Sequence, residues 1–374
     1  MKNKKVLFSK PDIQDQELKN VSKILKSGWL THGEYTKNFE EKFAKFTKSS
    51  FSTTVSSCTA GLHLSCLALG IEKGDEVIVP AMTHTATAHA VEYTGAKPVF
   101  ADVDYVTGNI KLSEIKKKIN SRTKLVIPVH MAGNMCNMDA IKKILIKKNV
   151  KIIEDCAHSL GSTLNNKHAG NFGETGNFSF YPTKQLTTGE GGMVISNNKK
   201  LIEKIIKLKQ FGIDTPIHLR KKPGLYNVQH LGFNYRLTDF QAAIGLGQLE
   251  RYSKNLLKRK RNAQLYSKIL KKSNNIRFHD FNKNCSYFIF QILCNSSKFR
   301  DELILNLKKK QIGFAIHYAT PVPYMKYYMK KYKFSKSLFP NSSLYSKTAI
   351  SLPTHSYLKK DEINYICNSI LEIK

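Results

Sequence analysis

The sequence has no apolar run long enough to cross a bilayer, and its basic N-terminus lacks the apolar region of a secretory signal peptide. Its seven cysteines, an odd number, are scattered and contain no Cys-x-x-Cys pair. This spacing argues against a disulfide framework and against a zinc site, and it favours reduced thiols. We therefore expect a cytoplasmic protein with no membrane span and no bound metal.

Acidic residues are scarce, with 28 Asp and Glu against 60 Lys and Arg, which gives a formal net charge of +32. A large positive charge suggests an anionic partner, and nucleic acid is the obvious class. However, the basic residues are spread along the chain, and the densest runs, 116–118, 258–261 and 308–310, are not interleaved with base-stacking aromatics. We predict no specific nucleic-acid binding; a phosphorylated small molecule fits better, and a coding bias stays open as an explanation.

The chain of 374 residues is longer than a single hydrophobic core usually serves, and 41% of it is hydrophobic. We predict two domains, a large one over residues 1–250 and a smaller α+β domain over residues 251–374. Short apolar strands alternate with helices in the first, which predicts a mostly parallel sheet flanked by helices. Function in such α/β sheets collects at the carboxyl ends of the strands. The predicted strands are Glu76–Pro80, Pro98–Asp102, Lys124–Val129 and Lys151–Asp155.

In the smaller domain, the sequence predicts one long helix followed by shorter strands and a helix. A basic helix is expected over Glu250–Leu270, followed by a strand at Tyr287–Leu293, a helix at Lys298–Gln311 and a strand at Gly313–His317.

One lysine, Lys184, stands between an apolar strand, Phe178–Tyr181, and a loop with three glycines. The residues on both sides of it are uncharged. A lysine held out of water has a lowered pKa, and its neutral amine can form a Schiff base. The alternative is an ordinary surface lysine, and this stretch alone leaves the two readings open.

Two further positions carry chemistry at predicted strand ends. Thr59 lies where a hydroxyl-rich strand turns into a helix, which predicts an anion site at the helix N-terminus, or simply an N-cap. Asp155 ends a buried strand, with His158 close behind. A carboxylate there must pair with a cation or cap the next helix.

A Schiff-base lysine, a carboxylate for a cation and a phosphate-binding helix end together match pyridoxal phosphate (PLP). Lys184 would bind its aldehyde, Asp155 its ring nitrogen and Thr59 its phosphate. Asp155 would keep the ring nitrogen protonated, so that the ring withdraws electrons from the reacting carbon.

The chain resembles the DegT/DnrJ/EryC1/StrS sugar aminotransferases over nearly its whole length. The matching motifs are Ser57–Leu64, Gly74–Pro80, Gly95–Asp104, Ile153–His158, Phe178–Gly192 and Gly232–Arg236. The resemblance implies a PLP-dependent transferase of fold type I, with the large domain binding the cofactor. It also implies a homodimer with shared active sites.

The resemblance assigns roles to eight residues. Lys184 resembles the lysine that binds the cofactor, Asp155 the ring-nitrogen partner and His158 the residue beside the cofactor's phenolic oxygen. The cofactor-binding set is completed by Cys58, Thr59, His84, Ser179 and Asn234. Thr59 and Ser179 match phosphate ligands, and Asn234 matches the residue that reaches the neighbouring subunit's phosphate. Two positions depart from the family pattern: His84 stands where an aromatic ring usually stacks on the cofactor, and Cys58 where glycine is usual.

The implied reaction moves an amino group, with glutamate as donor, to a nucleotide-linked keto-sugar such as a 4-keto-6-deoxyhexose. Dehydratases of this fold have histidine in place of the lysine, so Lys184 favours transamination. Surface polysaccharide synthesis, including lipopolysaccharide, is the family's common setting. The competing prediction is a protein without enzymatic activity, either a cofactor-binding regulator of this fold or a nucleic-acid-binding protein.

Overall fold

A computed structural model describes residues 5–215, 220 and 222–373. Its twelve described helices are α1 to α12 in chain order: Asp15–Ser27, Glu34–Thr47, Cys58–Ala68, Thr85–Glu92, Leu112–Lys118, Met138–Leu145, Lys199–Leu208, Asp239–Leu270, Ser297–Lys309, Lys326–Tyr332, Pro340–Thr348 and Lys360–Leu371. The strands β1 to β12 are Phe51–Val55, Glu76–Pro80, Lys97–Ala101, Thr123–Val126, Lys151–Asp155, Thr163–Leu164, Lys167–His168, Thr175–Ser179, Gly192–Ser196, Ile276–Arg277, Phe290–Cys294 and Ala349–Leu352. No helix in the described part of the chain is both long enough and apolar enough to span a membrane.

A seven-stranded sheet forms the centre of the fold, in the order β1-β9-β8-β5-β4-β2-β3. The neighbours from β8 to β3 are parallel, and only β9 runs against them. Because β1, β8, β5, β4, β2 and β3 share one direction, their carboxyl ends meet at one edge. The predicted α/β fold with a mostly parallel sheet is thus confirmed.

A smaller antiparallel sheet, β10-β11-β12, lies in the C-terminal part and packs with α9 and α12 around its own core. Val6 joins this core from the other end of the chain, and its N–H donates to the Gln311 carbonyl at 3.0 Å. The predicted boundary at residue 250 falls inside α8 and stays a prediction.

Several predicted boundaries differ from the structure. The strand expected at Phe178–Tyr181 is Thr175–Ser179, and the strand expected at Lys124–Val129 ends at Val126. The helix expected from Glu250 begins at Asp239, where Thr238 and Gln241 form a capping box that starts one 32-residue helix. The strand expected at Gly313–His317 reduces to a single bridge between Ala315 and Ser351. The strand expected at Tyr287–Leu293 begins at Phe290. Pairing with distant segments sets the strand boundaries, whereas the local capping box sets the start of the helix.

Aromatic packing fixes the strand that precedes Lys184. Phe43 of α2 lies 5.1 Å from Phe178 between ring centroids, and Phe39 lies 5.3 Å from Phe180. All four rings are fully buried. Buried aromatic pairs in these tilted and edge-on arrangements hold their partners in defined positions, so α2 anchors the end of β8 against the core.

The neighbouring strand β5 is anchored by a buried carboxylate, that of Glu154. It accepts hydrogen bonds from the backbone N–H groups of Gly170, Phe172 and Gly173 at 2.9, 2.6 and 2.8 Å. Its fourth contact is His130 Nε2 at 3.0 Å. A buried charge is stable only when it is this fully hydrogen-bonded. Glu154 therefore ties β5 to the loop before β8.

We predict that Glu154→Gln lowers the free energy of unfolding by about 3–5 kcal/mol, because its amide would face donors that have no other acceptor. Denaturant titration measures this change. The control is Glu41→Gln, which removes an exposed ion pair with Lys37 and should cost less than about 1 kcal/mol. Equal effects of the two substitutions would contradict this account of β5.

Candidate active site

A cavity of about 420 Å³ opens at the edge where the parallel strands end. Asp155 ends β5 and Ser179 ends β8, while the segments after β1 and β2 supply the other walls. Seven of the eight predicted site residues line it: Cys58, Thr59, His84, Asp155, His158, Ser179 and Lys184. Asn234 lies elsewhere, on an exposed segment that bridges to Gln210.

Lys184 follows a turn that its own N–H closes by donating to the Tyr181 carbonyl at 2.9 Å. Its side chain enters the cavity, and Nζ lies 4.4 Å from the centroid of the Phe288 ring. Burial lowers the pKa of Lys184 to about 8, although the negative charge of Asp155 acts in the opposite direction. A useful fraction of the amine is therefore neutral near physiological pH, as a nucleophile or a base requires.

Asp155 is buried, and its carboxylate accepts hydrogen bonds from Thr87 Oγ1 at 2.8 Å and from the Ala157 N–H at 3.1 Å. Both donors are uncharged, so the carboxylate keeps its affinity for a cationic group. The residues that follow Asp155 form turns, so the helix-capping alternative does not describe this site.

His158 is enclosed by aromatic side chains. Its ring stacks on Phe288 at 4.5 Å between centroids with an angle of 24°, and its Nε2 lies 3.2 Å from the Tyr318 hydroxyl. Burial, followed by the nearby Lys184, His317 and His84, holds the pKa of His158 well below its usual range. The imidazole is therefore neutral. Its Nδ1 is buried and has no hydrogen-bond partner among the residues that the structure describes.

The N-terminus of α3 also lines the cavity, through Ser57, Cys58 and Thr59. Ser57 caps the helix by accepting from the Ala60 N–H at 3.1 Å, so Thr59 is a first-turn residue and not the N-cap. The first N–H groups of a helix have no partner within it and attract anions. Gly192 lets β9 pass beneath, because a Cβ there would meet the Cys58 nitrogen at 2.7 Å.

The two departures from the family pattern have defined places. The Cys58 thiol donates to the Asn177 carbonyl at 3.4 Å, and burial and the charge of Asp155 raise its pKa well above the usual range. It is thus a packed thiol, not a nucleophile. His84 caps α4, where its Nδ1 accepts from the Ala86 N–H at 3.2 Å. Burial lowers the pKa of His84, with the charge of Lys184 acting in the same direction.

Sequence reasoning missed four residues that complete this site: Thr87, Phe288, His317 and Tyr318. Phe288 and His317 lay inside predicted strands, where they read as parts of a core. The adjacent polar aromatics His317 and Tyr318 were the available signal, since such a pair is unusual at the end of an apolar run.

These residues fit pyridoxal phosphate. The Asp155 carboxylate can pair with a ring nitrogen, the start of α3 and Ser179 can bind a phosphate, and Lys184 can bind an aldehyde. The buried Nδ1 of His158 also has no hydrogen-bond partner among the described residues, which is uncommon for a buried polar atom outside a functional site.

Comparison with known proteins gives the same result over the whole length. The model of the DegT/DnrJ/EryC1/StrS aminotransferase family matches residues 11–371. GDP-perosamine synthase of Escherichia coli O157:H7 is 36% identical over 365 residues, covering 97% of this chain and 96% of that protein. The spore coat polysaccharide biosynthesis protein SpsC of Bacillus subtilis is 34% identical over 376 residues, covering 98% and 96%.

Among solved structures, the putative sugar aminotransferase Spr1654 from Streptococcus pneumoniae in its PMP form has a TM-score of 0.92 and 29% identity, with 98% of each chain covered. The same protein in its PLP form has a TM-score of 0.91. The resemblance inferred from the motifs is therefore confirmed, and the chain belongs to the DegT/DnrJ/EryC1/StrS aminotransferase family.

Proposed function

We propose that this protein is a PLP-dependent aminotransferase that moves an amino group from glutamate to a nucleotide-linked keto-sugar, such as a 4-keto-6-deoxyhexose. The observation that carries the proposal is the meeting of Lys184, Asp155 and the start of α3 in one cavity. Lysine at position 184 supports transamination, because the amine can both bind an aldehyde and carry a proton.

When bound, pyridoxal phosphate supplies an aldehyde for covalent attachment and a ring that withdraws electrons from the reacting carbon. Asp155 would hold the proton on the ring nitrogen, with Thr87 and Ala157 fixing its carboxylate. Thr59, Ser179 and the α3 N-terminus would bind the phosphate.

Lys184 and His158 have the remaining roles in the reaction. Lys184, with its lowered pKa, accepts a proton from the substrate carbon and returns it to a neighbouring atom. His158 remains neutral, and because it lines the cavity it would contact the polar edge of the cofactor. His84 also lines the cavity, where its ring would stack on the cofactor.

Two observations support the choice of substrate, and two more support the setting of the reaction. The name of GDP-perosamine synthase describes a nucleotide-linked amino sugar as the product of a relative that is 36% identical. The net charge of +32 attracts a substrate with two phosphates. The name of SpsC supports a role in polysaccharide biosynthesis, and lipopolysaccharide is one such product. The free, buried cysteines support a cytoplasmic location.

We further propose that the protein is a homodimer in which Asn234 completes the partner's site. Asn234 is exposed and outside its own chain's cavity. Large apolar side chains near it in sequence are also exposed, with Leu231 at 88% and Leu225 at 58%. Exposed apolar residues in such numbers favour an interface between chains.

The first experiment incubates purified protein and PLP with ¹⁵N-glutamate and a panel of nucleotide-linked keto-sugars. Mass spectrometry should detect a labelled amino sugar, and Lys184→Ala should abolish it. Asp155→Asn should keep the fold but lower kcat by several powers of ten, each power corresponding to about 1.4 kcal/mol of barrier. A protein that binds PLP but aminates no member of the panel with any amino-acid donor would favour the cofactor-binding regulator.

The second experiment tests the shared site. Lys184→Ala chains and Asn234→Ala chains, each inactive alone, are mixed under conditions where differently tagged subunits are shown to exchange. Hybrid dimers should regain activity, because one of their two sites carries both native residues. If exchange occurs without any recovery, Asn234 does not act in the partner's site.

A further inference from the structure

The residue after Lys184, Gln185, is buried and polar, and its side chain contacts two distant segments of the chain. Its Nε2 donates to Ser286 Oγ at 2.9 Å. The second amide hydrogen faces the carbonyl oxygens of His158 and Leu160 at 3.3 and 3.4 Å. The amide therefore links the turn of Lys184 to the turn of His158 and to the segment that leads into β11.

Ser286 extends this hydrogen-bond network to His158 and Ser162. Its hydroxyl donates to the His158 carbonyl at 3.3 Å, and its backbone N–H donates to Ser162 Oγ at 3.1 Å. The Ser162 hydroxyl in turn donates to the Gly133 carbonyl at 2.6 Å. Ser286 is fully buried. Gly133 must lack a side chain here, because its φ is +94° and a Cβ would meet Ser286 Oγ at 2.7 Å.

Phe288, two residues beyond Ser286, contacts both reactive groups of the site. Its ring stacks on His158 at 4.5 Å and lies 4.4 Å from Lys184 Nζ. The segment held by Ser286 thus carries the aromatic wall that keeps water from the lysine amine. Apolar side chains could fill the same volume, but they would not fix one relative position of the three segments as hydrogen bonds do.

We propose that Gln185 and Ser286 are positioning residues that hold Lys184, His158 and Phe288 in one fixed arrangement. Their role in catalysis rests on the proposed function, whereas their effect on the surroundings of Lys184 does not. Without the Gln185 amide, the lysine turn and the Phe288 segment can separate, and water reaches the amine.

The test replaces Gln185 by methionine, which has similar length but no donor. The first readout is the pH dependence of acylation of Lys184 in the cofactor-free protein, followed by mass spectrometry of the Lys184 peptide. The wild-type midpoint is expected near pH 8, and that of Gln185→Met should move toward the ordinary lysine value of about 10.4. In the loaded enzyme, kcat should fall about 10- to 100-fold with little change in KM, because a small misplacement of reacting groups is enough to slow the reaction.

Gln248→Met is the matched control. Gln248 is equally buried, and its Nε2 donates to the Thr187 carbonyl at 2.6 Å and to the Ile244 carbonyl at 3.0 Å. Gln248 thus connects α8 to Thr187, which lies in the same loop as Lys184, three residues beyond it. It should lower the unfolding midpoint but leave the Lys184 midpoint and kcat close to wild type.

Ser286→Ala is a second, smaller change, and it should shift the Lys184 midpoint and kcat in the same direction as Gln185→Met. Ser286→Thr keeps the hydroxyl and should leave both values close to wild type. The effects of Gln185→Met and Ser286→Ala should not add, since the two side chains share one hydrogen bond. The proposal is overturned if the Lys184 midpoint is unchanged in both variants, or if Gln248→Met changes it as much. The midpoint needs neither cofactor nor substrate, so this result is independent of whether the proposed reaction is correct.

Discussion

Two adjacent buried carboxylates, Glu154 and Asp155, end the central strand β5, and the site depends on how differently they are satisfied. Successive side chains of a strand extend to opposite faces of the sheet. Glu154 accepts from three backbone N–H groups and contacts His130. Asp155 accepts from uncharged donors, Thr87 Oγ1 and the Ala157 N–H, with the Cys58 thiol 4.0 Å away. One carboxylate therefore fixes the strand, and the other is the one that we propose pairs with a cationic ligand group.

The surroundings of Lys184 have an energetic cost that the fold must offset. Its ordinary pKa is 10.5, and burial lowers it to about 8 in the folded state. The folded protein consequently binds fewer protons at this group than the unfolded chain. The resulting penalty is absent above the unfolded pKa, grows as pH falls from about 10.5 to 8, and remains below that. Such strain is typical of sites arranged for chemistry rather than for stability.

The sequence best predicted the site residues whose positions follow from the order of strands and helices along the chain. Strand alternation predicted that Asp155 and the segments of Thr59 and Lys184 would meet at one edge, because parallel strands share their carboxyl ends. Phe288, His317 and Tyr318 could not be placed in this way. His317 and Tyr318 line the cavity, and Phe288 contacts Lys184 and His158. All three lie more than 100 positions beyond Lys184, and no local periodicity encodes such a contact. Asn234 differs again, since its proposed role lies in a second chain.

The measurement that tests the account most directly is the location of the bound cofactor. Protein loaded with PLP is reduced with borohydride, which makes a bond between cofactor and lysine permanent, and is then digested and mapped by mass spectrometry. The account predicts that the label lies on Lys184 alone, in a chain with 60 Lys and Arg, and that Lys184→Ala prevents it. A label on another lysine, or an unlabelled protein that nevertheless aminates its substrate, would contradict it.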